Sequence, residues 1–138
     1  MRLRCLLLVG LAAALRAPAQ VPADVLTTLT DAAAALANDD ASSFLDQFDR
    51  NLPGFAALRT NVEGLLGASQ VISTIEPLSN QGDDRQQSVE LDWLLAINDK
   101  DRAGVRKETR RAIVKCRLEH QGRRWKIVAL EPADFFRP

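Results

Sequence analysis

The chain has 138 residues, with 18 lysines and arginines, 18 aspartates and glutamates, one histidine and no tyrosine. This length fits a single domain, and 46% apolar with 26% charged residues is a globular composition, neither disordered nor membrane-spanning. A formal net charge of zero provides no overall field that would attract nucleic acid or anionic lipid. Because histidine and tyrosine are so scarce, few of the usual acid–base groups are available.

The first nineteen residues have the three parts of a secretory signal peptide. Arg2 and Arg4 are followed by an uncharged apolar run over residues 6–15, and small residues then precede Gln20. A run this short cannot cross about 30 Å of hydrocarbon at about 1.5 Å per helical residue. We therefore expect cleavage between Ala19 and Gln20, and a secreted or periplasmic mature chain of residues 20–138 forming one domain.

Cleavage changes the charge and the cysteine count. The mature chain would keep 15 basic and 18 acidic residues, a net charge of −3, and Cys116 as its one cysteine. Residues 20–99 hold 3 basic and 13 acidic residues, whereas residues 100–138 hold 12 basic and 5 acidic residues. The basic part lacks the interleaved aromatic residues of a nucleic-acid surface. We expect the two parts to neutralise each other, with no nucleic-acid partner and no membrane partner after cleavage.

Three helices are predicted in the first half of the mature chain. Residues 22–37 repeat apolar residues at helical spacing behind Pro22, which suits a first helical turn. Asp40 is a predicted N-cap for a short second helix with an apolar stripe through Phe44 and Phe48. After a turn at residues 49–54, a third helix runs from Phe55 to about Gly67.

The hydrophobic period changes to two after Gly67, which predicts strands. Residues 71–78 are rich in β-branched residues but contain Pro77, which indicates an edge strand or a strand end. Residues 88–97 and 111–118 alternate apolar with polar residues, and a turn at residues 120–123 predicts a hairpin. If that turn is tight, three pairs share one face: Leu118 with Trp125, Cys116 with Ile127, and Val114 with Ala129.

Three helices followed by about four antiparallel strands is an α+β layout with the N-terminal helices packed on one sheet face. The helix followed by Asn38-Asp39-Asp40-Ala41, Phe44-Leu45 and Phe48-Asp49, then a sheet closing on Trp125-Lys126-Ile127, resembles the nuclear-transport-factor-2-like (NTF2-like, SnoaL-like) superfamily. This resemblance covers residues 22–136. It implies a cone-shaped, cystatin-like fold, in which a curved antiparallel sheet wraps around helices and an apolar cavity. Members include isomerases, dehydratases, cyclases and non-catalytic binding or dimerising modules.

The resemblance also implies where catalysis would occur, because catalytic members use an Asp, Glu or His inside the cone, often with a Tyr. This chain has no Tyr, and its one His, His120, falls in the predicted hairpin turn. Glu90 and Asp92 lie out of phase with the apolar residues of their strand and should pair with basic residues on the next strand. Asp49, at the end of the second helix, is the remaining catalytic candidate, and we expect no other.

Neither a metal nor a cofactor is expected, because no His, Cys or carboxylate cluster has ligand spacing. Cys116 lies between apolar residues and is expected to be a buried, unreactive thiol. Trp93 and Trp125 either pack in the core or line the cavity, and the pattern leaves both open. The residues predicted to line the cavity are Phe44, Phe48, Phe55, Leu91, Trp93, Cys116 and Trp125.

Four apolar residues lie out of phase with the core and predict a homodimer through the outer sheet face: Leu94, Ile113, Val128 and Leu130. The function expected from these patterns is an exported, non-catalytic module that binds a small apolar ligand or another protein. Two alternatives remain open. One is an isomerase, dehydratase or cyclase that uses Asp49, and the other is a structural dimerisation domain whose cone is filled by aromatic side chains.

Overall fold

A computed structural model describes residues 20–138 as three helices followed by one four-stranded antiparallel sheet. The helices are α1 (Ala23–Ala37), α2 (Ala41–Asp46) and α3 (Phe55–Ala68). The strands are β1 (Ser69–Gly82), β2 (Gln86–Asp99), β3 (Arg106–Gln121) and β4 (Arg124–Glu131), and they pair in chain order. The predicted α+β architecture is confirmed. The predicted signal peptide lies outside the described residues.

The helices pack through the apolar stripes seen in the sequence. α1 buries Val25, Leu29 and Leu36 completely on one face, as the helical spacing of these residues requires. The carboxylate of Asp40 accepts a hydrogen bond of 3.0 Å from the backbone N–H of Ser43, so the predicted N-cap of α2 is confirmed. Among residues 20–138, no helix combines the length and apolarity needed to cross a membrane.

Basic residues of the second half contact the acidic, helical first half. Lys100 Nζ lies 2.9 Å from a carboxylate oxygen of Asp39 and donates to the carbonyl of Leu66 near the end of α3. Arg124 pairs in the same way with Asp46 of α2 at 3.5 Å. These pairs match the charge division along the chain, although exposed ion pairs of this kind each contribute only about 0.2–1 kcal/mol.

The sheet presents one apolar face to the helices. Along β2, Val89, Leu91, Trp93 and Leu95 alternate inward and are almost completely buried. β1 forms an edge of the sheet and shifts its register between Pro77 and Ser79. The prediction of an edge strand is confirmed, and the strand continues past Pro77 to Gly82 because the register shift accommodates the residue that lacks an N–H.

The β3–β4 turn is centred one residue later than predicted. Gly122 has a φ of 62°, a left-handed conformation that glycine adopts without strain, and Gln121 pairs with Arg124 across it. Leu118 therefore faces Ile127. The predicted opposition of Leu118 and Trp125 is wrong, because His120 occupies the position opposite that indole.

A register shift farther along the hairpin reverses two predicted orientations. Between Arg117 and Leu118 the pairing moves by one residue, which is the geometry of a β-bulge. Cys116 then faces Leu130, and Arg117 faces Ala129. Leu130 is consequently only 9% exposed and packs in the core, while Ala129 lies on the outer side of β4. The predicted pairs Cys116–Ile127 and Val114–Ala129 are wrong because the turn is displaced and this bulge adds a further shift of one residue.

Candidate functional site

The inner face of the sheet is filled by aromatic side chains. The ring of Phe136 lies with its centroid 5.0 Å from those of both Phe44 and Trp93, and 5.1 Å from that of Phe135. Edge-to-face contacts of this kind add about 0.5–1.5 kcal/mol each beyond burial. All four side chains are buried, and Phe136 is 0% exposed. Two of the four rings come from the last four residues of the chain.

The seven residues predicted to line a cavity do not surround one open pocket. Phe44, Leu91 and Trp93 are enclosed in the packed core, and the indole N–H of Trp93 donates to Ser73 Oγ at 2.9 Å. The other four border three separate surface pockets. Phe48 and Phe55 border a pocket beside α2, and Cys116 borders a pocket on the outer sheet face. Trp125 borders a pocket near the start of α1.

Arg110 is a buried charge on the inner face of β3. It is only 8% exposed, and its guanidinium donates two hydrogen bonds to the carboxylate of Glu108, at 2.7 and 3.1 Å. The same guanidinium donates to the backbone carbonyls of Phe135 and Arg137, at 2.7 and 2.8 Å. A buried guanidinium requires such partners, and Arg110 has four. In the sequence Arg110 lies in phase with Val114 and Cys116, the buried side of β3, whereas Arg111 lies in the opposite phase; this phase was the available signal.

Asp49 is fixed by hydrogen bonds on both carboxylate oxygens. One oxygen accepts from the backbone N–H of Asn51 at 2.8 Å, and the other accepts from the side-chain amide of Gln121 at 2.6 Å. These bonds, with the nearby charge of Lys126, hold the pKa of the Asp49 carboxyl below its ordinary value. A general base at neutral pH requires the opposite shift. Asp49 instead ties the α2–α3 loop to the β3–β4 hairpin.

The pocket beside α2 is the one that Asp49 reaches. It has a volume of about 650 Å³, and Phe48 and Phe55 contribute its apolar wall. Charged side chains of both signs surround it, among them Arg59 and Lys126. Arg59 lies over the ring of Phe55, with its guanidinium carbon 5.5 Å from the ring centroid. The pocket therefore has mixed character and is separate from the inner face of the sheet.

The remaining titratable candidates are placed as the sequence indicated. His120 is exposed beside the hairpin turn, and its ring stacks on Trp125 at 5.0 Å with an interplanar angle of 11°. Burial raises the pKa of the Cys116 thiol to about 12, so the thiolate is scarce at neutral pH. In the part of the chain that the structure describes, no three His, Cys, Asp or Glu side chains are grouped as a metal site.

The outer face of the sheet carries exposed apolar residues. Ile72 and Ile113 are 55% and 57% exposed. Leu94, on the strand between them, is partly exposed and lies diagonal to both, because Leu94 pairs with Thr74 and Arg111. We call Ile72, Leu94 and Ile113 the outer apolar patch. The sequence prediction included Leu94 and Ile113 but missed Ile72. The available signal was that Ile72 follows the inward-facing Val71 in an alternating strand and must therefore point outward.

The other two predicted interface residues stand apart from this patch. Leu130 points inward because of the β-bulge, so its predicted place on the outer face is wrong. Val128 has no partner in the register of the hairpin and is partly buried. Near the patch, Arg111 forms a two-point ion pair with Asp92, as expected, whereas the other outward carboxylate of β2, Glu90, forms no ion pair among the described residues. The pair holds the pKa of the Asp92 carboxyl below its ordinary value.

Solved structures share this arrangement of helices and sheet. A protein with a cystatin-like fold from Nostoc punctiforme matches 78% of this chain and 85% of its own, with a TM-score of 0.60 and 14% identity. The chain has the cystatin-like, NTF2-like fold. Bd1075 of Bdellovibrio bacteriovorus matches 78% of this chain with a TM-score of 0.63 and 14% identity. This chain spans only 39% of the length of Bd1075.

A third NTF2-like match is assigned as a calcium/calmodulin dependent protein kinase II association domain, from Xanthomonas campestris. It covers 82% of this chain and 90% of its own, with a TM-score of 0.61 and 19% identity. No protein-family model matches the sequence, and no curated protein matches it. At these identities the likeness establishes the fold alone.

Proposed function

We propose that this NTF2-like chain is a non-catalytic association module that forms a homodimer through the outer face of its sheet. The observation that carries the proposal is the outer apolar patch, in which Ile72 and Ile113 are more than half exposed on neighbouring diagonals. Ile72, Leu94 and Ile113 follow one diagonal across three neighbouring strands, and apolar residues grouped on a sheet face are typical of a protein–protein interface. Isolated exposed residues would not support this interpretation.

The charges around the outer apolar patch favour a second copy of the same chain as the partner. β1 and β2 place Glu76 and Asp92 on this face, while β3 places Arg111 and Lys115 there. Asp92 and Arg111 pair with each other within one chain, and a two-fold axis parallel to the strands would bring Glu76 of each chain to the side of its partner that carries Lys115. Such complementarity orients the partners more than it strengthens the contact.

The inner face supports association rather than catalysis. Its aromatic side chains are packed against one another, and Asp49 has both oxygens engaged and a pKa lowered by those bonds. The match to an association domain from Xanthomonas campestris adds support by analogy of fold. Export completes the proposal, since residues 1–19 have the layout of a signal peptide and the mature chain needs no disulfide.

The experiment compares two matched lysine substitutions by sedimentation equilibrium. Ile113→Lys introduces a charge into the outer apolar patch, and Val105→Lys introduces the same charge at an exposed apolar residue between β2 and β3. We expect the unaltered chain and Val105→Lys to be dimers at tens of micromolar, and Ile113→Lys to be a monomer. A dimer that survives Ile113→Lys would place the interface elsewhere and contradict the proposal.

A further inference from the structure

The last seven residues, 132–138, form a C-terminal segment that receives its hydrogen bonds from the sheet through one side chain. The backbone hydrogen bonds of this segment stay within it, as in the bond from the N–H of Arg137 to the carbonyl of Asp134 at 3.1 Å. Among the described residues, its hydrogen bonds to the sheet come from Arg110, whose guanidinium holds the carbonyls of Phe135 and Arg137. No strand pairing secures the segment.

Arg110 is itself held in place for this contact. Glu108 lies two residues away on the same strand, and its carboxylate accepts two hydrogen bonds from the guanidinium. A planar guanidinium bound at two points has a fixed orientation. The Nη1 atom is thereby directed at the segment, where it meets two carbonyl oxygens.

The apolar contacts of the segment are made by two buried rings, since Phe135 is 2% exposed and Phe136 is 0% exposed. Phe136 contacts Phe44 and Trp93, and Phe135 lies 6.3 Å from Trp93 between ring centroids. At its end the segment lies against α3, where a Cβ added to Gly64 would stand 2.9 Å from Pro138 Cγ. The segment therefore fills the cone as a ligand would, through buried aromatic rings and the two hydrogen bonds from Arg110.

We propose that the C-terminal segment is a detachable plug, which leaves the cone as a unit while the sheet stays folded, and that the vacated site binds aromatic carboxylic acids. Units with few bonds to the rest of a protein open at lower free energy than its central strands. The chemistry of the ligand follows from the plug. Trp93 and Phe44 pack against aromatic rings, and Arg110, once it no longer donates to two carbonyl oxygens, can donate to a carboxylate.

The test uses full-length chains with paired glycine substitutions on α3. Gly64→Ala crowds Pro138, whereas Gly67→Ala places its Cβ in open space and serves as the control. Arg110→Gln removes the guanidinium that donates to the carbonyls of Phe135 and Arg137. We expect the amides of Phe135 and Arg137 to exchange hydrogen at least tenfold faster in Gly64→Ala and Arg110→Gln than in the control. The amide of Leu91, in the central part of β2, should be unchanged.

Ligand binding is measured with 3-phenylpropanoate and its neutral analogue 3-phenylpropanol. Apparent affinity rises in proportion to the open fraction of the site. We expect Gly64→Ala to bind 3-phenylpropanoate at least tenfold more tightly than Gly67→Ala. In Arg110→Gln the preference for the carboxylate over the alcohol should disappear.

Three results would overturn the proposal. The first is exchange at Phe135 and Arg137 that matches Leu91 in the unaltered chain, since the segment would then open only on global unfolding. The second is an exchange rate at Phe135 and Arg137 that is the same in Gly64→Ala and Arg110→Gln as in Gly67→Ala. The third is faster exchange in Gly64→Ala without tighter binding of 3-phenylpropanoate. If Arg110→Gln unfolds the sheet, Gly64→Ala still decides the outcome, because its change lies on the exposed side of α3.

Discussion

Replacing Phe136 with alanine tests whether the cone is filled by structural packing. The side chain is fully buried, and its ring contacts those of Phe44, Trp93 and Phe135. Truncating a buried Phe to Ala costs about 3–5 kcal/mol, through lost burial and the cavity left behind. We expect a value near the lower end, about 3 kcal/mol. If the C-terminal segment detaches as proposed, the loss cannot exceed the free energy with which the segment docks.

Urea unfolding followed by far-ultraviolet circular dichroism measures this loss. Phe55→Ala is the matched control, because its ring is only partly buried and packs at the edge of the core. Its truncation should lower the free energy of unfolding by about 1 kcal/mol, in proportion to the smaller buried area. A loss of less than about 1 kcal/mol for Phe136→Ala, or less than that for Phe55→Ala, would refute the reasoning.

Three further predictions concern side chains with defined partners. Because hydrogen bonds lower the pKa of Asp49 below 3.8, its carboxylate stabilises the fold above that pH and loses the effect as the pH falls through the folded value. The unfolding free energies of the unaltered chain and Asp49→Asn should therefore differ at pH 7 and converge as the pH falls below 3.8; a constant difference would count against this role. Asp40→Ala should lower the free energy of unfolding, and Asp40→Asn, which keeps the cap, should lower it by much less; equal losses would exclude capping as the cause. Cys116, with a thiol pKa of about 12, should resist iodoacetamide at pH 8 until urea unfolds the chain, whereas rapid labelling of the folded protein would mean that the thiol is accessible.

The fold could be predicted from the sequence because local signals and hydrophobic period agree along most of the chain. The cap at Asp40 and the alternation through Trp93 each indicated the element that forms. The β3–β4 register could not be predicted, because it depends on the placement of the turn at Gly122 and on one bulge near Arg117. A shift of one residue moves a side chain to the other face, as Leu130 demonstrates.

The inner site depends on contacts that no short pattern encodes. Phe135 and Phe136 follow the last strand, where the sequence predicts no element to hold them. Their burial requires Arg110, which stands 25 residues from Phe135 along the chain and lies within a run of similar basic residues. The strand period separates Arg110 from its outward neighbour Arg111, but the carbonyl acceptors that allow the guanidinium of Arg110 to be buried are supplied only by the tertiary fold.

Sedimentation velocity of the unaltered chain over a dilution series tests the proposed association most directly. A homodimer joined through Ile72, Leu94 and Ile113 predicts a species of twice the chain mass at tens of micromolar, which dissociates on dilution. A species with the mass of one chain at every concentration in the series would contradict it.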